Sequence, residues 1–235
     1  MRVAALLSGG KDSVCAIEVA RGHGWGVVGA IRVVPAGDDS YMFHTPNLDV
    51  VEGIAAAMGL PLETIQSPLD PVTELEALEL GLERLKRAWN LQGIISGALA
   101  SEYQKTRLDR IGNRLGLATF APLWHKEPTA YLASLQGYDI RFSRVACDGL
   151  DESWAGASLD ASRVEILKRM KSRPHIAGEG GEYETVVLDA PHFAQRVVVD
   201  ESDVEVTASR ATWHIRRWHL EKKPNAPALA LNNTL

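Results

Sequence analysis

The sequence predicts a doubly wound parallel β-sheet with helices on both faces, followed by a smaller α+β unit. Three observations lead there. In the first half, short apolar runs alternate with helix-period segments, the pattern of β-α-β units joined by right-handed crossovers. The first apolar run breaks into Ser8-Gly9-Gly10 and then into a helical segment, a strand–turn–helix opening. Beyond Pro122 the rhythm changes to closely spaced strand-like runs.

Each element has a local reason. Residues 2–7 read as a buried strand. Residues 12–21 carry Val14, Ile17 and Val19 among alanines, which suits a helix ending near Gly22. Residues 26–34 are β-branched and apolar, a second buried strand, and Pro35 to Asp39 is a loop. Thr45-Pro46 marks a helix start, with Thr as cap and Pro at the first position; Gly59 stops that helix after Met58. Residues 62–66 give a third strand. In 71–89, Leu75, Leu78, Leu82, Leu85 and Trp89 recur at helical spacing, with Glu83 and Arg87 on the polar side. Residues 93–97 form a fourth strand. Ser101 and Gln104 make a capping-box pattern opening a helix to Leu115, which Gly116 closes. After Pro122 come a short helix over 128–136, a strand over 139–147 and a helix over 160–170. Runs at 185–189, 196–200, 203–208 and 212–219 read as antiparallel strands. The expected organisation is a nucleotide-binding domain over 1–122, an α+β substrate-recognition domain over 123–221 and a mobile tail over 222–235.

Composition narrows the function. The 235 residues are 46% hydrophobic and 23% charged, which excludes a disordered chain, a collagen-like repeat and a small disulfide scaffold. Lys plus Arg is 25 against 30 Asp plus Glu, a formal net charge of −5. That acidity argues against direct nucleic-acid binding, which clustered cations drive. Two cysteines, Cys15 and Cys147, cannot form a Cys-rich zinc site. The N-terminal run turns into Ser-Gly-Gly too soon for a signal peptide, and no run of about 18 apolar residues suggests a membrane span. The expected location is the cytoplasm.

Ser8-Gly9-Gly10-Lys11-Asp12-Ser13 carries the first chemistry. Small residues let backbone N–H groups approach an oxyanion, the helix N-terminus adds partial positive charge, and Lys11 adds a full one. Ser8 and Ser13 offer hydroxyls, and Asp12 fits beside a divalent metal. Together they suit a pyrophosphate group with Mg²⁺. This is not the kinase-type P-loop, because position 5 is Ala and Asp12 separates Lys11 from Ser13. Gly24-Trp25-Gly26-Val27-Val28-Gly29 matches a dinucleotide fingerprint by letters only, since it follows a helix and leads into a strand. The third feature, Gly178-Glu179-Gly180-Gly181-Glu182-Tyr183-Glu184-Thr185, crowds three carboxylates and a tyrosine onto a turn. It reads either as an exposed acidic turn or as a cation site for Mg²⁺, ammonium or an organic cation.

The first motif resembles the PP-loop, Ser-Gly-Gly-x-Asp-Ser, of the N-type ATP pyrophosphatases, whose Rossmann-like domain splits ATP between its α and β phosphates. With the stretch 178–185, the chain resembles the diphthine–ammonia ligase (diphthamide synthetase) family over nearly its whole length. Met42-Phe43-His44-Thr45-Pro46-Asn47, Gly97 to Gln104, Pro122-Leu123-Trp124 and Val186 to Pro191 are also family-like. His125-Lys126 departs from the Gly-Arg pair more usual there, and the length is that of the short archaeal-type members. The resemblance implies ATP-dependent amidation of diphthine on translation elongation factor 2. An acyl-adenylate forms and ammonia displaces AMP. ATP and Mg²⁺ are the implied cofactors, and homo-oligomerisation is left open.

It also implies site roles. Ser8, Gly9, Gly10, Lys11 and Ser13 would hold phosphates, and Asp12 would place the metal. Gly97 and Ser101 would lie against the nucleotide, with Gln104 and Arg107 meeting phosphates or the substrate carboxylate. His44, Asn47, Glu179, Gly180, Gly181, Glu182, Tyr183, Glu184 and Thr185 would bind substrate, the acidic residues and Tyr183 attracting its quaternary ammonium. Glu182, with Lys11 and Asp12, is the catalytic expectation, as the group that takes a proton from ammonium. Capping near Thr45 is the competing reading of His44, and Cys15 reads as a packed residue. Lys105, Arg107, Arg110 and Arg114 form a basic set, either a solvated face or a docking patch for the factor. Two other readings stay open: another PP-loop ligase acting on a small molecule or tRNA, and a non-catalytic nucleotide-binding module.

Overall fold

The structure, a computed structural model, describes residues 1–35, 47, 49–68 and 70–224. Its first part alternates β1 (Arg2–Leu6), α1 (Lys11–Gly22), β2 (Gly26–Pro35), α2 (Val50–Ala57), β3 (Leu62–Ser67), α3 (Pro71–Trp89), β4 (Gly93–Ile95), α4 (Glu102–Leu115) and β5 (Ala118–Phe120). The five strands are parallel, in the order β3-β2-β1-β4-β5. The chain leaves β1 toward β2 on one side and later returns to β4 on the other. That reversal opens a crevice beyond the carboxyl ends of β1 and β4, the place where doubly wound sheets bind ligands.

Helices cover both faces. On one, Leu78, Leu82 and Leu85 of α3 and Leu108 and Ile111 of α4 pack on Ala4, Ile31, Ile65 and Ile94. On the other, Val14 and Ile17 of α1 and Val50 and Ile54 of α2 share one apolar cluster with Tyr131, Val187 and Phe193 from beyond residue 122. The second part is therefore packed into the core of the first.

That second part holds α5 (Pro128–Ser134), β6 (Asp139–Val145), a 3₁₀ turn (Glu152–Trp154), α6 (Ala161–Arg169), β7 (Tyr183–Asp189), β8 (Gln195–Val206) and β9 (Ala211–Lys222). Its sheet is antiparallel, in the order β7-β6-β9-β8. Phe142 seats this sheet, its ring edge-on to Trp154 at 5.3 Å and to Tyr183 at 5.0 Å.

The sequence reading holds for most elements and fails at identifiable places. Ser101 caps α4 by accepting from the Gln104 N–H, and Gly116 ends it in the left-handed conformation. β5 was not expected, because three residues are too few to show a period. The fourth strand ends at Ile95 rather than 97. The runs 196–200 and 203–208 are one strand, β8, whose pairing slips around Glu201 and interrupts the alternation. The helix expected from Thr45 is described from Val50, and Thr45 and Pro46 lie outside the described residues. Of the tail expected from 222, Lys222 closes β9 and Lys223 Nζ bonds Asp189 Oδ1 and the Ala190 carbonyl, both at 2.8 Å, while residues 225–235 lie outside the described residues.

Leu82, fully buried between α3 and the sheet, tests this packing. Leu82→Ala is expected to cost about 2–5 kcal/mol of unfolding free energy. In urea this reads as a lower midpoint at unchanged slope. A cost under about 0.5 kcal/mol, the range of surface changes, would show that the layer is not packed.

Candidate active site

The loop between β1 and α1 is shaped by its small residues. Gly9 has φ +81°, and a Cβ there would lie 2.9 Å from Ile54 Cδ1, so α2 packs directly behind the loop. Ser13 Oγ donates to the Gly10 carbonyl at 3.0 Å, accepts from the Ser8 N–H at 3.2 Å and lies 3.1 Å from Ser8 Oγ. From the other side, Gly97 lets the end of β4 touch α1: a Cβ there would lie 2.6 Å from Asp12 C and Ser13 N. The loop is held by backbone and hydroxyl bonds before any ligand arrives.

The second sheet closes over it. The Val187 N–H on edge strand β7 donates to the Gly9 carbonyl at 2.9 Å, and the Lys11 N–H donates to Thr185 Oγ1 at 3.1 Å. Between the two sheets lies a cleft of about 490 Å³. It collects Ser8, Gly10, Lys11, Asp12, Ser13, Gly97, Ser101, Gln104, Glu179, Gly181, Tyr183, Glu184 and Thr185, so both sequence motifs meet there. Its apolar end is made by Leu6, Ile31, Val33 and Leu108.

Charge inside the cleft is tightly organised. Lys11, almost fully buried, pairs with Asp12 Oδ2 at 2.9 Å, and its ammonium lies 5.6 Å from the Tyr183 ring centre. Tyr131 of α5 donates its hydroxyl to Asp12 Oδ1 at 2.6 Å. Burial, with the Asp12 charge second, pushes the Tyr131 phenol far above its usual range, so it remains a donor. Glu179 accepts from the Ala100 N–H at 3.1 Å and so ties the 178–181 turn to the loop after β4. Burial, then the nearby Asp12 charge, raises the Glu179 carboxyl. Burial pushes Glu184 up to about 7, against the opposing charges of Arg144 and Arg210. Arg144 Nη1 reaches Glu184 Oε1 at 3.4 Å.

Several expected residues stand elsewhere. Glu182 does not face the cleft: its carboxylate accepts from the His175 and Gly180 N–H groups, both at 2.8 Å, and staples the turn. Gly180 packs against that carboxylate. Tyr183 is buried, donates its hydroxyl to the Ile176 carbonyl at 2.5 Å and turns its ring toward Lys11, so no open aromatic face awaits a substrate cation. Arg107 stacks on Tyr103 at 3.2 Å and lies outside the cleft lining. Asn47 braces β9, donating to the Trp213 carbonyl and accepting from the Ile215 N–H, both at 2.8 Å. His44 lies outside the described residues. Of the basic set, Lys105 pairs with Asp109 at 2.6 Å and Arg114 with Glu79 at 3.2 Å, which weakens a docking patch. Cys15 is packed, and burial pushes its thiol up to about 11, away from nucleophilic use.

Sequence reasoning missed Tyr131 and Arg144. Nothing local marks Tyr131, whose partner Asp12 is 119 residues away. Arg144 left little signal, being one of two arginines, with Arg141, in the strand-like run Ile140 to Val145.

A Ser-Gly-Gly-Lys-Asp-Ser strand–loop–helix at the switch point, with a cation and a carboxylate in it and a cleft apolar at one end, places the chain in the PP-loop class. Comparison with known proteins narrows the class. The diphthamide synthase N-terminal domain model matches residues 1–119, and the C-terminal domain model matches 128–221. A diphthine–ammonia ligase from Bos taurus is 34% identical, covering 95% of this chain and 94% of its own. That from Homo sapiens is 34% identical over 90% and 87%. That from Schizosaccharomyces pombe is 31% identical over all of this chain and 42% of a longer one. The chain belongs to the diphthine–ammonia ligase family. Among solved structures, a predicted subunit of tRNA methyltransferase from Methanocaldococcus jannaschii covers 81% of this chain and 98% of its own at TM-score 0.45 and 16% identity, too distant to carry an argument.

The bond between Lys11 N–H and Thr185 Oγ1 is testable. Thr185→Val keeps the shape and strands the amide, at an expected cost of about 1–3 kcal/mol in denaturant unfolding. ATP binding by calorimetry is expected to weaken with it. A variant as stable and as tight as the parent would show that this bond does not hold the loop.

Proposed function

We propose that this chain catalyses ATP-dependent amidation of diphthine on translation elongation factor 2 with ammonia, giving diphthamide. The observation that carries this reading is the cleft in which a PP-loop meets two carboxylates of the second part, Glu179 on the 178–181 turn and Glu184 on β7. Ser8, Gly10 and Ser13, with Lys11, suit the β and γ phosphates, and the apolar end suits the adenine. A substrate carboxylate oxygen attacks the α phosphorus and pyrophosphate leaves. The ammonia nitrogen then attacks the acyl carbon, AMP leaves, and nitrogen loses a proton.

Asp12 is the candidate metal ligand. Its carboxylate lines the cleft, accepts two hydrogen bonds and has acceptor positions left over, and hard oxygen donors suit Mg²⁺. Bound there, Mg²⁺ would supply charge stabilisation to the leaving pyrophosphate. Lys11, held by Asp12 and the Tyr183 ring, presents its charge on the same side. Glu184 is the better placed base, since Glu182 is engaged by the turn; burial sets Glu184 near neutrality, where a base works best. Glu179 and Glu184 are also the carboxylates left to attract the quaternary ammonium of diphthine. No helix among the described residues is long and apolar enough to cross a membrane. The cytoplasm, where the elongation factor works, is the location this reading gives.

The test is a product assay with Mg-ATP, ammonium and diphthine-bearing factor. AMP and pyrophosphate, formed only with the factor and with its acid converted to an amide, are expected. AMP without change in the factor would assign a different acceptor, as for a ligase of a small molecule or tRNA. Bound but unreacted ATP would favour a nucleotide-binding module.

The base assignment has its own pH signature. At fixed free ammonia, the rate is expected to rise with pH around about 7, because Glu184 accepts a proton only when ionised. Glu184→Gln should flatten this limb and lower the rate by about 10²–10⁴-fold. An unchanged profile would remove Glu184 from the role.

A further inference from the structure

We propose that Tyr131 is a positioning residue for the metal: its hydroxyl fixes the Asp12 carboxylate so that the remaining lone pairs face the phosphate site. This rests on the reading of Asp12 as the metal ligand.

Three features support it. The bond is short, 2.6 Å, and it joins the second part of the chain to the first turn of α1. Tyr131 is 2% exposed, so its hydroxyl is buried against the Asp12 carboxyl rather than left to water. The helix carrying it is firmly seeded. Glu127 caps α5 by accepting from the Thr129 and Ala130 N–H groups at 2.9 and 2.6 Å, with Pro128 in its first turn. The Tyr131 backbone is itself bonded at both ends, its N–H to the Glu127 carbonyl and its carbonyl to Ser134 Oγ.

The geometry divides the work on Asp12. Lys11 Nζ takes Oδ2 and Tyr131 takes Oδ1. A carboxylate offers about four acceptor positions, so two remain. On the proposed function Lys11 also meets phosphate, and Tyr131 then holds the carboxylate independently of Lys11. Metal placement therefore depends on α5 being docked against α1.

The experiment reads metal binding apart from turnover. Mn²⁺ is titrated by electron paramagnetic resonance in the presence of saturating α,β-methylene-ATP. Parent, Tyr131→Phe and Asp12→Asn proteins are compared. Tyr131→Phe keeps the buried ring and removes one oxygen, and thermal melting checks that it folds. It is expected to bind Mn²⁺ about 10–100-fold more weakly, the usual cost of losing a partner behind a metal ligand. Binding of the nucleotide in EDTA should be unchanged, and raised Mg²⁺ should restore kcat. If Tyr131→Phe binds Mn²⁺ like the parent while Asp12→Asn does not, Tyr131 only fills space and the proposal falls. If both variants bind Mn²⁺ like the parent, the metal role of Asp12 fails with it.

Discussion

Everything in the site depends on the seam between β7 and the PP-loop. A glycine-rich loop has many conformations, and a phosphate cradle needs one. Here the loop is fixed from two sides: α2 packs behind Gly9, and edge strand β7 bonds the Gly9 carbonyl and the Lys11 N–H. The bond from the Val187 N–H also satisfies part of the open edge of β7, so one contact shapes the loop and covers the strand. The seam explains why the second part shares its core with the first. The apolar cluster running from Val14 and Ile54 to Tyr131 and Phe193 presses β7 onto the loop.

The seam also sets the electrostatics. It buries Lys11 and brings Glu179 and Glu184 into the same cleft, where each carboxyl is raised chiefly by loss of water. Asp12 is placed differently, accepting from both Lys11 and Tyr131. On the proposed function, the cleft keeps its candidate metal ligand and its candidate proton acceptor on separate side chains.

The fold was legible because its elements are locally consistent. The α3 leucine stripe, the Ser101–Gln104 cap and the Gly116 stop all lie within a few residues of what they determine. β5 and the single long β8 escaped because one is too short and the other slips register. The PP-loop was legible because its six residues act together in sequence. The acidic stretch was legible in place but not in orientation. Glu182 precedes the first residue of β7, so the turn around Gly181, with φ +80°, aims it rather than strand alternation. Glu184 lies within the strand and faces the cleft. Tyr131 was invisible because its meaning lies in a partner brought near only by the finished fold.

The most direct test of this account is a crystal structure with Mg²⁺ and α,β-methylene-ATP. The account predicts the β and γ phosphates on Ser8–Ser13, the adenine against Leu6, Ile31 and Val33, and the bonds from Val187 N–H and to Thr185 Oγ1 intact. A triphosphate bound elsewhere, or a PP-loop that leaves β7 to take it, would contradict the claim that the second sheet builds the site.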